Sequence, residues 1–245
     1  MAAPPLTQAA AFAGLGGAGS PLVLGYWAIR GLAQPVRTLL AFTATPFVEV
    51  LYGDGAAEEA RWAADKLAQP ALGFAFPNLP YVASGAAGSP GAVRLTQSTA
   101  LLEHVARANP SLQLLGATPA EADLCSMFLM QVVDARGAVS GYTYGSEPAL
   151  PAFLAGGASL APFEAALGER AFCAGAAPTI ADFALVEMVL HVRAILAAKG
   201  GVPDVLGSFP RLRALVERFR ALPGVSAALE SAERMPWNGD TAQFR

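Results

Sequence analysis

Short apolar runs separated by amphipathic stretches organise the first half of the chain. Residues 21–26 (PLVLGY) are apolar and few enough for a buried strand, and residues 47–52 (FVEVLY) alternate as a strand does when it buries one face. Between them, residues 34–43 place apolar side chains at helical spacing, with Pro35 suited to a first turn. A strand, a helix and a second strand in so short a span form a βαβ unit, which implies a parallel pair with a right-handed crossover. Residues 58–67 read as a short helix ended before Pro70. Residues 80–83 and 92–95 read as a hairpin around a Gly/Ala/Ser/Pro turn at 84–91. Residues 97–108 turn helical, with Leu101, Leu102 and Val105 on one face. The order is β-α-β-α-β-β-α, an α/β domain with a mixed sheet and helices on both faces.

Periodicity breaks at residues 109–118 (NPSLQLLGAT), the best domain boundary, and no strand pattern follows. Helices are expected at 119–142, 151–167, 180–198 and 210–221, with a short turn at 224–231. Thr179-Ile-Ala-Asp182 has the form of a capping box, with the hydroxyl capping the first turn and the carboxylate at the positive end of the dipole. The chain therefore divides into a disordered Ala/Gly/Pro extension at 1–20, an α/β domain at 21–108 and an all-helical domain at 119–245.

Composition changes this picture little, although 54% hydrophobic and 14% charged residues look at first like a membrane protein. Alanine and 25 glycines raise the average without long Leu/Ile/Phe runs, and the uncharged stretches 1–29 and 67–93 are broken by proline and glycine. Sixteen basic and 19 acidic residues give a net charge of −3 with no massed basic patch, so neither a membrane nor nucleic acid is expected as a partner. Cys125 and Cys173 form no disulfide framework and no Cys-x-x-Cys or Cys/His metal pattern; they read as small buried hydrophobes, and His191 as a core histidine. The first twenty residues lack lysine and arginine, unlike a secretory or organellar leader, so a reducing, cytoplasmic location is expected.

An α/β domain of this order before a helical one resembles the cytosolic glutathione transferases, and three motifs carry the resemblance. Leu24-Gly25-Tyr26-Trp27-Ala28-Ile29-Arg30-Gly31-Leu32-Ala33 is similar to the start of the mu class. Phe76-Pro77-Asn78-Leu79-Pro80-Tyr81 and Thr96-Gln97-Ser98 follow in the family's order and rough spacing. The resemblance covers residues 22–237 and implies a thioredoxin-like N-terminal domain, glutathione as co-substrate, no metal and a homodimer, with sigma-like affinities also open.

The candidate site combines this resemblance with the chemistry of each residue. Tyr26 stands where a strand hands over to a helix, the edge at which parallel α/β sheets bind ligands. A phenol there can donate a hydrogen bond to a thiolate and lower a thiol's pKa from about 8.5 toward neutrality; taken alone, the position also suits a core tyrosine bonded to backbone. Leu79 precedes Pro80, which holds it extended and which in the family is cis, so that the Asn78-Leu79 backbone binds the cysteinyl part of glutathione. Gln97 and Ser98 open a helix whose unpaired N–H groups suit the γ-glutamyl carboxylate, or simply an N-cap. Trp62 and Lys66, four apart, share a helix face and by resemblance take the glycine carboxylate.

The resemblance adds Trp27 and Leu32 to the glutathione site, and Asp134, in Gln131-Val-Val-Asp134, reaching the γ-glutamyl amino group across a dimer interface. It further implies Tyr144 lining the electrophile pocket and Phe76 inserting into a partner subunit. The segment 52–62 is shorter than the mu loop and residues 68–74 are longer, Glu59 stands where an arginine is expected, and Arg61 is left out of the site. A glutaredoxin-like oxidoreductase is excluded because the turn Tyr26-Trp27-Ala28-Ile29 has no cysteine. The expected activity is conjugation of glutathione to hydrophobic electrophiles. A glutathione-dependent isomerase of the prostaglandin synthase type, or a non-catalytic ligand-binding relative, is the alternative.

Overall fold

The computed structural model describes residues 6–15, 20–145, 160–199, 201–202 and 204–242. Strand β1 (Leu22–Trp27), helix α2 (Gln34–Phe42) and β2 (Phe47–Tyr52) form the βαβ unit, preceded by helix α1 (Gln8–Ala13) and followed by helix α3 (Ala56–Ala68). The hairpin is β3 (Tyr81–Ser84) and β4 (Val93–Thr96), then α4 (Ser98–Ala108). The sheet order is β2-β1-β3-β4, with β1 parallel to β2 and antiparallel to β3.

Alternation along β1 splits the domain into two cores. Leu22 and Leu24 join Leu39 and Leu40 of α2 and Leu101, Leu102 and Val105 of α4 on the inner face. Val23 joins Val50, Tyr52, Tyr81 and Phe74 on the outer face. Gly25 is required there, because a Cβ would lie 2.1 Å from the Tyr81 ring.

The extension departs from expectation: residues 7–15, expected as disordered, include helix α1, whose N-cap Thr7 side chain accepts from the Ala10 N–H at 3.2 Å. Its Ala11 and Leu15 are buried, and Phe12 packs on Phe74 and edge-on to Tyr81 at 6.2 and 6.1 Å between ring centroids. The physical reason lies in α3, which contributes no fully buried side chain, so α1 covers outer-face apolar area that α3 leaves. Ala11, Phe12 and Leu15 have the spacing of a helix face, but alanine-rich surroundings blur the contrast.

The helical half holds α5 (Pro119–Tyr144), α6 (Ala161–Leu167), α7 (Ile180–Lys199), α8 (Pro210–Arg220) and α9 (Val225–Ala232). Of the helix expected at 151–167, residues 151–159 lie outside the described residues. Helix α7 is the axis, buried from Ile180 to Val192, and Phe183 packs between Phe42 of α2 and Phe219 of α8. The inner core is thus shared by both halves. Two caps differ from the sequence reading. Asp182 accepts from the Cys173 and Thr179 N–H groups, both at 2.7 Å, and from the Thr179 hydroxyl, so that hydroxyl is a donor to the carboxylate and not the cap itself. The reciprocal capping box is Thr118 and Glu121 at the start of α5, a T-x-x-E pattern legible in the sequence. Among the described residues no helix is long and apolar enough to cross a membrane.

Candidate functional site

Tyr26 is the penultimate residue of β1, with its ring buried and its hydroxyl accepting from the Leu32 N–H at 3.0 Å. That bond occupies the acceptor side of the phenol and leaves its proton to donate elsewhere. The loop is shaped for this approach: Gly31 has φ +42°, and a Cβ there would stand 2.6 Å from the Tyr26 hydroxyl. Burial pushes the Tyr26 phenol above its ordinary value, opposed by the Leu32 N–H and by the positive charges of Arg136 and Arg37. Tyr26 therefore stays protonated, a donor, at neutral pH.

The loop after Tyr26 is clasped by the C-terminal tail. Arg30 N–H donates to the Pro236 carbonyl at 2.9 Å and Gly31 N–H to the Trp237 carbonyl at 3.3 Å. The Arg30 guanidinium forms a buried two-bond pair with Glu187 of α7, at 2.9 and 2.7 Å, and lies 3.7 Å from the Trp237 ring centroid. His191 stacks on Trp237 at 4.9 Å, and its Nε2 lies 3.0 Å from Asn238 Nδ2. Tyr144 Oη accepts from the Gly239 N–H at 2.9 Å, tying the end of α5 to the same tail.

Burial, with Arg136 and Arg30 nearby, lowers His191 to a pKa of about 3, so the clasp holds a neutral imidazole. A histidine depressed in the folded state favours folding fully above its unfolded value of about 6.5, and that contribution is lost progressively as pH falls toward the folded value. Between pH 7 and pH 5 the stability advantage of the parent over His191→Gln should shrink by about 2 kcal/mol, read from denaturant unfolding at both pH values.

Beside the clasp lies an open cavity of about 400 Å³ lined by Tyr26, Leu32, Gln97, Ser98, Arg136 and Tyr144, among others. Four elements thus bring five of the expected residues to one space: β1, the loop after it, the start of α4 and the end of α5. A second cavity of about 250 Å³ shares Ile29 and Tyr144 and is lined by Trp27 and by the carboxylates Asp54, Glu59 and Asp240. Gln97 holds φ +73°, rare for a residue with a side chain, and is the N-cap of α4 without a side-chain capping bond.

The remaining expected residues stand outside the two cavities. Trp62 packs edge-on to Trp27 and Tyr52 at 6.5 and 5.4 Å, and Lys66 is exposed one turn further along α3. The Leu79–Pro80 bond is cis; Leu79 is buried and Asn78 exposed. Asp134 is exposed on α5 alongside Met130 and Val133, and Phe76 is 75% exposed. Arg61 bonds Glu58 and the Leu51 carbonyl and lies over the Tyr52 ring, a bracing role between β2 and α3. Cys125 and Cys173 are buried and free, and no group of metal-ligating side chains occurs among the described residues. Sequence reasoning missed Arg136 and the Arg30–Glu187–Trp237–His191 clasp. Arg136 stands two residues after Asp134, but only the fold turns it toward Tyr26.

The model for the glutathione S-transferase C-terminal domain matches residues 156–232. A glutathione S-transferase of Tyrophagus putrescentiae is 34% identical, covering 91% of this chain and 95% of its own. Glutathione S-transferase Mu 1 of Bos taurus is 35% identical over 88% of this chain and 94% of its own. Among solved structures, the Pi-class glutathione S-transferase of Onchocerca volvulus superposes with a TM-score of 0.73 at 26% identity, covering 91% of this chain and 99% of that one.

Proposed function

The chain belongs to the glutathione S-transferase family, and we propose that it conjugates the thiolate of glutathione to hydrophobic electrophiles with Tyr26 holding the thiolate. The observation that carries this is the Tyr26 hydroxyl at the cavity wall, its acceptor side taken by Leu32 and its proton free to donate. Donation to sulfur favours the charged form of the thiol, and holding the two reactants together removes much of the entropic barrier. Gln97 and Ser98 at the start of α4 take the γ-glutamyl carboxylate, and the Asn78-Leu79 backbone takes the cysteinyl part. Trp27, Leu32, Trp62 and Lys66 complete the glutathione contacts, and Tyr144 lines the electrophile side. The test is conjugation of glutathione to an activated aryl chloride, followed by product absorbance. Turnover above the uncatalysed rate is expected, and its absence overturns the reading. Detoxification in the cytoplasm is the corresponding role, consistent with two buried free cysteines.

The reading includes a homodimer. Met127, Met130 and Val133 are about half exposed, and with Asp134 they form an outward stripe on α5, while Phe76 projects from the other domain. Such area suits a second copy, whose Asp134 then approaches the γ-glutamyl ammonium. Light scattering should give about twice the 25.1 kDa chain mass. The double variant Phe76→Ser with Met130→Lys should move toward the single-chain mass and raise KM for glutathione severalfold. A monomeric parent would contradict this part.

A further inference from the structure

We propose that Arg136 makes the electrophile site selective for compounds carrying a carboxylate or similar anionic group. The inference rests on the transferase reading and adds the substrate class to it.

Arg136 lies on α5 and lines the same cavity as Tyr26. Its Nη2 donates to the Gly31 carbonyl at 2.7 Å, which fixes the guanidinium beside the loop that follows Tyr26 and carries Leu32. Its Nη1 is buried and has no hydrogen-bond partner among the described residues. The acid that bears on it, Glu187, has both oxygens engaged by Arg30, and no ion pair among the described residues includes Arg136. A guanidinium stays charged in a protein, and a buried charge without a counter-charge is unfavourable until an anion or further hydrogen bonds meet it.

The surroundings set the direction. Burial pulls Arg136 below its ordinary value, partly opposed by Glu187 and Tyr26, which marks a charge whose compensation is incomplete. The carboxylates Asp54, Glu59 and Asp240 line the neighbouring cavity, so an anionic group on the electrophile is repelled there and drawn to the α5 wall. A guanidinium in the cavity wall suits a carboxylate, and charge-assisted hydrogen bonds of this kind are short and strong. The rest of the α5 wall, Leu129, Val132 and Val139, is apolar and accommodates the ring or chain that bears the carboxylate.

The test uses the intact protein and a matched pair of electrophiles, an activated aryl chloride with a ring carboxylate and its uncharged methyl ester. The ratio of kcat/KM for the two should fall about tenfold or more in Arg136→Met, through a higher KM for the carboxylate compound. Arg136→Lys, which keeps the charge, should retain part of the ratio. A ratio unchanged in Arg136→Met overturns the inference. So does a rise in KM for glutathione that is equal with both electrophiles, since the guanidinium then serves glutathione's own carboxylate. A parent that conjugates neither compound contradicts the transferase reading, whereas one that conjugates both without preference contradicts only this inference.

Discussion

Replacing Tyr26 with phenylalanine should cost about fiftyfold in conjugation rate near pH 6.5 and only about twofold near pH 8.5. The ratio follows from ionisation alone. If the phenol holds the bound thiol about two units below its ordinary value of about 8.5, half of it is thiolate at pH 6.5, against about one part in a hundred without the hydrogen bond. The same shift corresponds to about 2.7 kcal/mol of differential interaction, within reach of one strong charge-assisted bond. The phenylalanine ring keeps the packing of a buried residue, so the loss reads the hydroxyl and not the fold. Parallel pH profiles for parent and variant would show that the hydroxyl does not act on the thiol.

The largest loss of stability is expected at Glu187→Ala. Glu187 is buried in α7 and meets two Arg30 nitrogens, Nε and Nη2, so its removal leaves a buried guanidinium without its carboxylate. Breaking a buried pair from one side costs about 3–5 kcal/mol. The consequence reaches the site, because Arg30 also carries the Trp237 ring and, through backbone bonds, the tail that closes over Gly31. Denaturant unfolding should show that loss, with Trp237 fluorescence shifting toward that of a solvated indole before the global transition. A change below about 1 kcal/mol would mean that the clasp carries little of the stability.

Much of the N-terminal half is legible in the sequence because it is built from local patterns. Alternation in residues 47–52, the turn residues around Gly85 and the helical spacing of Leu101, Leu102 and Val105 each specify an element with little help from distant contacts. Tyr26, Gln97 and Ser98 could be singled out because each stands at the junction of a strand or turn with a helix. What escaped depends on distance along the chain. Arg136 reaches the Gly31 carbonyl across 105 positions, and Arg30 reaches Glu187 across 157, which no periodicity encodes. Helix α1 escaped for a different reason: a run of alanine and glycine hides the few side chains that dock it, and the bare outer face that it covers is visible only once α3 is seen to bury so little.

Ultraviolet titration of the thiolate in the binary complex with glutathione, without electrophile, reads directly whether Tyr26 lowers the pKa of the bound thiol. In the parent the bound thiol should titrate about two units below the free value of about 8.5, and in Tyr26→Phe close to that free value. A bound thiol that titrates at the free value in the parent, or at the same lowered value in both proteins, would contradict the account.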